Sequence, residues 1–462
     1  MTGRKRGFGL GASLALTLGS ALLWGIAHLA THRHRAAFAL MAVQIILIGA
    51  ILTVVTAFST KLLSLAVQPG WMTALALILA ALAVAWTAVI VRSYVLVRPA
   101  ASGVPARALA AALTVSLCAM VLAPTAWAAR MAYVSRDLVH HLFAGNSGPV
   151  LADDPWNGAE RLNVLLIGAD SAPDRPGVRT DSITVASVDT ADGATTLLGL
   201  PRNLERVPLP PGPARDRFPY GFTGDGEATP GLLNEVFQYA EDHPELVPGV
   251  PDGERGPALL KETVSGILGI PVQYYAMVDM KGFAEMIDAV GGVRITVEQP
   301  IVYGRNREGL LPAGTRRLSG EEALWYGRSR TDSDDYVRMG RQKCLLNAVA
   351  KQADPVTLLN SFDRLASATK RAISTDVPQD LLPALIELAQ KVRENRIRSL
   401  NFVPPLISTA NPDWGFIRRT TEKALSRTEE RSPGEREERR PASAASPSVT
   451  PQGPVALDKT CG

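Results

Sequence analysis

Cysteine is nearly absent. Cys118, Cys344 and Cys461 are the only three in 462 residues, and none stands in a Cys-x-x-Cys or Cys/His spacing, so no structural zinc site is expected. Acidic residues are missing altogether from Met1 to Arg136, a stretch with eleven Lys/Arg. The remainder carries 37 Lys/Arg against 44 Asp/Glu, so the formal net charge of +4 belongs to the first 136 residues. A DNA-binding body places its basic excess on the folded module that meets phosphates, so nucleic acid is not an expected partner. The chain also lacks a Walker-type Gly-rich loop and a Gly-x-Ser-x-Gly elbow, which argues against a P-loop enzyme and a serine hydrolase. Ser171 has no evident histidine partner, and His140 and His141 read as solvated connector residues. With 47% hydrophobic and 20% charged residues the chain is not a disordered one, and its length suits about three average domains.

Long apolar runs are plentiful at the N-terminus. Four stretches, near 8–31, 36–58, 72–97 and 107–127, approach the roughly 20 residues needed to cross a bilayer. Arg33 and Arg35 in the first connection, and Arg92, Arg98 and Arg107 in the third, predict that these connections are cytoplasmic, which delivers everything after about residue 130 to the outer face. Arg4, Lys5 and Arg6 conflict with four full spans in that orientation. The first stretch, rich in Gly and Ala, is therefore either a span or a re-entrant segment; four spans starting inside would instead leave the remainder in the cytosol. The expected divisions are a membrane section of three or four helices (1–130), a juxtamembrane connector (131–160), a domain of mixed strands and helices (161–425) and a disordered tail (426–462) rich in Glu/Arg and then Pro/Ala/Ser. In an exported domain Cys344 and Cys461 either pair, tying down the tail, or are two unrelated thiols.

In the third division, Leu162–Ile167 is a continuous apolar run of the kind buried on both faces of a sheet. Ser182–Val188, Thr195–Leu200, Val293–Val297 and Ile397–Val403 are also strand-like. Helical patterns fall at about 231–242, 256–268, 280–290, 319–327, 338–353, 381–392 and 413–425, with Met277–Val290 as a whole reading as core helix and Gly291-Gly292 as a turn. This order predicts an α/β or α+β domain with a central mixed sheet flanked by helices, preceded by the all-α membrane section. Residues 205–230, dense in Pro, Gly and charge, read as a long surface loop near the site or a mobile lid.

Arginine placement carries the chemistry. Arg179 and Asp181 precede one strand, Arg202 follows another with Arg206 beyond it, and Arg328, Arg330, Asp335, Arg338 and Gln342 cluster in a single segment. Guanidinium forks bind phosphate oxygens bidentately, so converging arginines suit a diphosphate better than a sugar or peptide. Asp170, Asp181 and Asp335 could hold Mg²⁺ against those oxygens, because this hard cation favours one or two carboxylates plus phosphate. The alternative is a set of ordinary surface ion pairs, Asp181 with Arg179 and Asp335 with Arg338.

Taken together, the segments Leu-Leu-Ile-Gly-Ala-Asp ending at Asp170, Arg179-Thr-Asp-Ser-Ile, Gly-Leu-Pro-Arg ending at Arg202, Val278-Asp-Met-Lys-Gly-Phe, Ile287-Asp-Ala-Val-Gly-Gly-Val, Leu318 to Arg330 and Asp335 to Gln342 resemble the LytR-CpsA-Psr family. The resemblance implies a membrane-anchored phosphotransferase that moves a glycopolymer, teichoic acid or another wall polysaccharide, from a polyprenyl-pyrophosphate carrier onto a peptidoglycan hydroxyl. It implies a long apolar cavity opening on an arginine-lined, Mg²⁺-holding mouth. The family's pyrophosphate residues fall on Arg179, Arg202, Arg206, Arg328, Arg330, Arg338 and Gln342, and its aspartates on Asp170, Asp181 and Asp335, with Asp170 and Asp181 as metal ligands and either as the base. Two positions depart from the family pattern: Asn203 stands for an Asp, and Leu232 for a Lys. Other readings are a lipid pyrophosphatase, a membrane-bound transcriptional regulator and a non-catalytic lipid-binding scaffold.

Overall fold

The computed structural model describes residues 8–57, 69–98, 103–143, 154–170, 177–227, 229–304, 307–329, 335–352, 362–395, 397–426 and 454–456. The chain forms two compact units, Met1–His140 and His141–Gly462.

The first unit is helical: α1 (Leu10–Leu22), α2 (Ile26–Ala30), α3 (His34–Ala57), α4 (Pro69–Val97) and α5 (Val104–Phe143). Stretches in α3, α4 and α5 are long and apolar enough to cross a membrane. At 1.5 Å per residue the 13-residue α1 reaches only about 20 Å, less than the hydrocarbon thickness. The expected first stretch is broken at Gly25, whose φ of 101° is left-handed and where a Cβ would come within 2.6 Å of the Ala37 carbonyl oxygen. Gln44 satisfies the backbone groups freed there, accepting from Trp24 N at 2.7 Å and donating to Leu22 O at 2.8 Å. Trp86 Nε1 donates to Ala21 O. Unpaired peptide groups are costly in an apolar medium, which is what makes a polar Gln useful at this position. Helix α5 continues through residues expected in the connector.

The second unit is built on a seven-stranded mixed sheet of order β11-β10-β3-β2-β1-β4-β9. Its strands are β1 (Arg161–Asp170), β2 (Arg179–Asp189), β3 (Thr195–Leu200), β4 (Tyr274–Asp279), β9 (Ile373–Thr375), β10 (Ile397–Asn401) and β11 (Val455–Ala456). β1 is antiparallel to β2 and parallel to β4; β3 is antiparallel to β2 and parallel to β10. The helices are α6 (Pro213–Arg217), α7 (Val236–Asp242), α8 (Arg255–Leu268), α9 (Met280–Ala289), α10 (Gly320–Arg328), α11 (Asp335–Gln352), α12 (Phe362–Ala372), α13 (Leu382–Glu394) and α14 (Trp414–Leu425). Two hairpin-like pairs, β5 (Val293–Val297) with β8 (Gly314–Leu318) and β6 (Ile301–Tyr303) with β7 (Gly309–Leu311), lie between α9 and α10. The fold is thus the expected mixed sheet with flanking helices.

One face of the sheet is filled by Leu165, Ile183, Val185, Leu198 and Leu400, packed with apolar residues of α7, α8 and α14. The segment expected to be a surface loop or lid belongs to this core. Val207, Leu209, Phe218 and Phe222 are buried in it, so its apolar residues outweigh its Pro and Gly in deciding its place. Met277–Asp279, expected within a helix, instead end β4, because Tyr274–Asp279 pairs along β1 and the Asp279 carboxylate caps the next helix by accepting from Lys281 N and Gly282 N. Val455–Ala456, in the segment expected to be disordered, pairs with β10; residues 427–453 lie outside the described residues. Cys344 is disulfide-bonded and Cys118 is free; Cys461 lies outside the described residues.

Candidate active site

The site forms where β1, β3 and β4 end at their carboxyl edges and β2 begins, the edge at which open α/β sheets place their ligands. Asp170 is the last residue of β1 and faces Arg179, the first of β2. The register then skips: Ala169 pairs with Thr180 but Gly168 with Ser182, leaving Asp181 as the extra residue of a β-bulge. Such a bulge re-aims a side chain that strict alternation would place elsewhere. Asp181 Oδ1 accepts a short hydrogen bond from Arg202 Nη1, two residues past β3. Asp170 is 6% exposed and accepts from Arg328 Nη2 at 2.7 Å, at the end of α10. Arg338, on α11, is 3% exposed.

Asp170, Arg179, Asp181, Arg202, Arg328 and Arg338 line one pocket of about 60 Å³, with Met280 as its apolar wall. The carboxylates pair with arginines 21 and 158 residues away in the chain. The local Asp181–Arg179 surface pair is thereby replaced by a converging, half-buried array. Among the described residues, four guanidinium groups against two carboxylates leave the pocket with a positive excess, which suits a polyanion.

Beside it lies an apolar cavity of about 190 Å³ between β1, β2 and β4 on one side and α9, α10 and α11 on the other. Its floor is made of small residues, Gly168, Ser182, Thr184 and Ala276, and its roof includes Phe283, Leu324, Leu345 and Leu346. At Gly168 a Cβ would come within 2.9 Å of the Ser182 Cβ, so the strands lie close only because this residue is glycine. Met280 and Arg328 line both spaces, so the cavity and the arginine pocket are contiguous. Gln342 lines the cavity and donates to Gly327 O at 3.1 Å, joining α11 to α10.

The other sequence candidates are placed differently. Arg206 is exposed, has φ 52°, and does not line the pocket. Its backbone lies against Gly221, where an added Cβ would collide with the Arg206 carbonyl oxygen. Arg330 lies outside the described residues, and Asp335 begins α11 with its side chain outside them. Asn203 follows Arg202, and its Oδ1 is buried without a hydrogen-bond partner among the described residues. Asp170 and Asp181 supply hard oxygen donors in one pocket, and this fits Mg²⁺ held by two carboxylates and a phosphate. Among the described residues there is no cluster of three or more metal-ligating side chains.

Sequence reasoning missed two features. Trp325 stacks on Tyr303 with centroids 5.5 Å apart and lies 5.7 Å from the Arg328 guanidinium, which steadies that side chain where it bonds Asp170. Lys343, next to Gln342, is 4% exposed, and burial pushes its pKa down to about 7. The only signal for Lys343 was its position beside a site residue.

Residues 140–414 match the model of the LytR_cpsA_psr family, and the chain belongs to that family. The polyisoprenyl-teichoic acid–peptidoglycan teichoic acid transferase TagU of Halalkalibacterium halodurans is 24% identical over 233 residues, 50% of this chain and 64% of that protein. The regulatory protein MsrR of Staphylococcus aureus is 27% identical over 247 residues, 53% of this chain and 62% of that protein. The crystal structure of B. subtilis TagV aligns with 57% of this chain and 96% of its own at 23% identity, with a TM-score of 0.40. The chain thus spans a little under two thirds of the length of these two curated relatives.

Proposed function

We propose that this protein is a membrane-anchored phosphotransferase that moves a glycopolymer from a polyprenyl-diphosphate carrier to a peptidoglycan hydroxyl at the outer face of the membrane. The observation that carries this reading is the continuity of the apolar cavity with the arginine pocket through Met280 and Arg328. A polyprenyl diphosphate has the same two parts in the same order. The activity for which the TagU relative is named agrees with it, and the arginine-rich first and third connections favour an outward-facing second unit.

In this mechanism the isoprenoid chain enters between Ala276 and Leu346 while Arg179, Arg202, Arg328 and Arg338 hold the diphosphate oxygens. The acceptor hydroxyl attacks the phosphorus that bears the sugar; the bond to the bridging oxygen breaks, and the lipid leaves as its monophosphate. Charge grows on that oxygen, and pre-oriented guanidinium groups stabilise it without reorganising. Asp181 or Asp170 takes the hydroxyl proton, and each is held in place by its arginine. Mg²⁺ bound at Asp170 and Asp181 would add charge neutralisation at the phosphate oxygens.

The test supplies the full chain in detergent with a polyprenyl-diphosphate glycan and peptidoglycan fragments, with Mg²⁺ or EDTA. Release of lipid monophosphate together with glycan linked to peptidoglycan is expected, and both are lost in Arg202→Ala. Release of lipid phosphate without a linked product replaces the transferase by a lipid pyrophosphatase. Binding without cleavage replaces it by a scaffold.

A further inference from the structure

A buried lysine without a counter-ion needs a reason to be a lysine. The Lys343 Nζ donates to Ser399 Oγ and Asn401 Oδ1 on β10 at 2.5 Å each, and among the described residues no carboxylate pairs with it. It lies over Gly199 of β3, where an added Cβ would come within 3.1 Å of Nζ and closer still to Asn401 Oδ1. A buried ammonium without an ion partner is expensive, and a Met or Leu would fill the same space without that penalty.

Lys343 also borders a small cavity of about 20 Å³ with Asp181, Ser182, Arg338 and Gln342. That cavity shares Asp181 and Arg338 with the arginine pocket, and Ser182 and Gln342 with the apolar cavity. Gly199 pairs with Thr184, three residues along β2 from Asp181, which sets a separation on the order of 10 Å along the strand, and no ion pair joins Lys343 to Asp181 among the described residues. Across that distance, at an effective dielectric of about 20, one unit charge changes the binding of one opposite charge by roughly tenfold.

Among the described residues the charged groups facing Lys343 are few. Asp181 approaches from β2, with Arg202 bonded to it, and Arg338 from its own helix. From β10 only Ser399 and Asn401 turn this way; Arg398 alternates to the other face, where it bonds Thr196. On that side of β3 stands Gly199. With the pocket empty, four arginines outnumber two aspartates, so another positive charge nearby is disfavoured. A diphosphate reverses that balance.

We propose that Lys343 is a latent cation of the anion site, neutral while the pocket is empty and protonated from solvent when a diphosphate fills it, so that substrate binding takes up a proton. It is a positioning residue, acting on the diphosphate through its field and not by contact. The inference rests on the diphosphate reading of the site. The empty-state charge agrees with the effect of burial, which pushes the Lys343 pKa down to about 7.

The experiment is calorimetric titration of the full chain in detergent with farnesyl diphosphate at pH 7.5, in two buffers of different ionisation heat, beside Lys343→Met. Uptake of about half a proton is expected in the wild type and none in the variant, any change in the ligand's own protonation being common to both. Lys343→Met should bind about tenfold more weakly at pH 6 and equally above pH 9. Equal proton uptake in both proteins, or a loss of affinity that is the same at pH 6 and pH 9, would overturn the proposal in favour of a strut between α11 and β10. Should Lys343→Met fail to fold, absence of uptake in the wild type overturns it just as well. Failure of the wild type to bind farnesyl diphosphate at all would instead overturn the diphosphate reading.

Discussion

The two faces of the seven-stranded sheet are made from the same strands and meet opposite fates. On one, Leu165, Ile183, Leu198, Leu260 and Phe402 are at most 1% exposed and packed together. On the other, at the carboxyl ends of β1 and β4, Gly168, Ser182, Thr184 and Ala276 are too short to reach the helices above them, and a cavity remains. Side chains alternate along a strand, so one strand can carry Leu toward a core and Gly toward a ligand at no cost to its pairing. Small residues on an otherwise buried face therefore mark where the fold has kept room for something else. An empty apolar space forfeits dispersion contacts, and a fold keeps such a space where a ligand restores them.

The largest effect should come from the charged mouth of the open face. Asp181→Ala removes the carboxylate that orients Arg202, and Arg202→Ala removes the guanidinium itself; each should lower glycan transfer by at least about 100-fold, as removal of groups stabilising a developing oxyanion does. Assay of lipid monophosphate release checks this, and activity within tenfold of wild type would remove these residues from the chemistry. Next, truncation should separate the faces by stability. Leu260→Ala on the filled face should destabilise the protein by about 2–5 kcal/mol in denaturant unfolding. Leu346→Ala, already 45% exposed beside the cavity, should cost less than about 1 kcal/mol. Ala276→Leu tests the converse by filling the cavity: stability should move by no more than about 1 kcal/mol while affinity for farnesyl diphosphate falls about tenfold or more. A variant that binds as the wild type does would mean that the isoprenoid goes elsewhere.

The smallest effect lies at the rim of the filled face. The Asp225 carboxyl is held below its usual range, first by the Tyr239 hydroxyl and then by Arg217, while burial and that bond to Asp225 push Tyr239 up to about 12. A depressed carboxyl contributes stability above its unfolded value and loses it as pH falls through the folded one. The protection of amides around Phe218–Phe222, taken relative to their intrinsic exchange rate at each pH, should therefore be high at neutral pH and fall in acid, and Asp225→Asn should show the lower protection already at pH 7.

The filled face was largely legible in the sequence, because continuous apolar runs such as Leu162–Ile167 and Thr195–Leu200 are bury-or-fail signals. The arginines and aspartates were legible as a constellation but not as a geometry. The bulge at Asp181, the reach of Arg328 to Asp170 and the exposure of Arg206 depend on register and loop path, which no local pattern encodes. β4 was missed because Met277–Asp279 runs into a helix with no break; the sheet neighbour β1, more than 100 residues earlier, decides it. Lys343 was invisible for the opposite reason: a lysine in a basic helix looks solvated until the packing of β3 and β10 is known.

Whether cavity and arginine pocket act as one site for an amphiphile is read most directly from the affinities of the full chain for farnesyl diphosphate, farnesol and inorganic pyrophosphate. Each buried methylene is worth about 0.8 kcal/mol, so farnesyl diphosphate should bind at least about 100-fold more tightly than either half alone. Equal affinity for farnesyl diphosphate and inorganic pyrophosphate would show that the apolar cavity does not receive the lipid, and would contradict it.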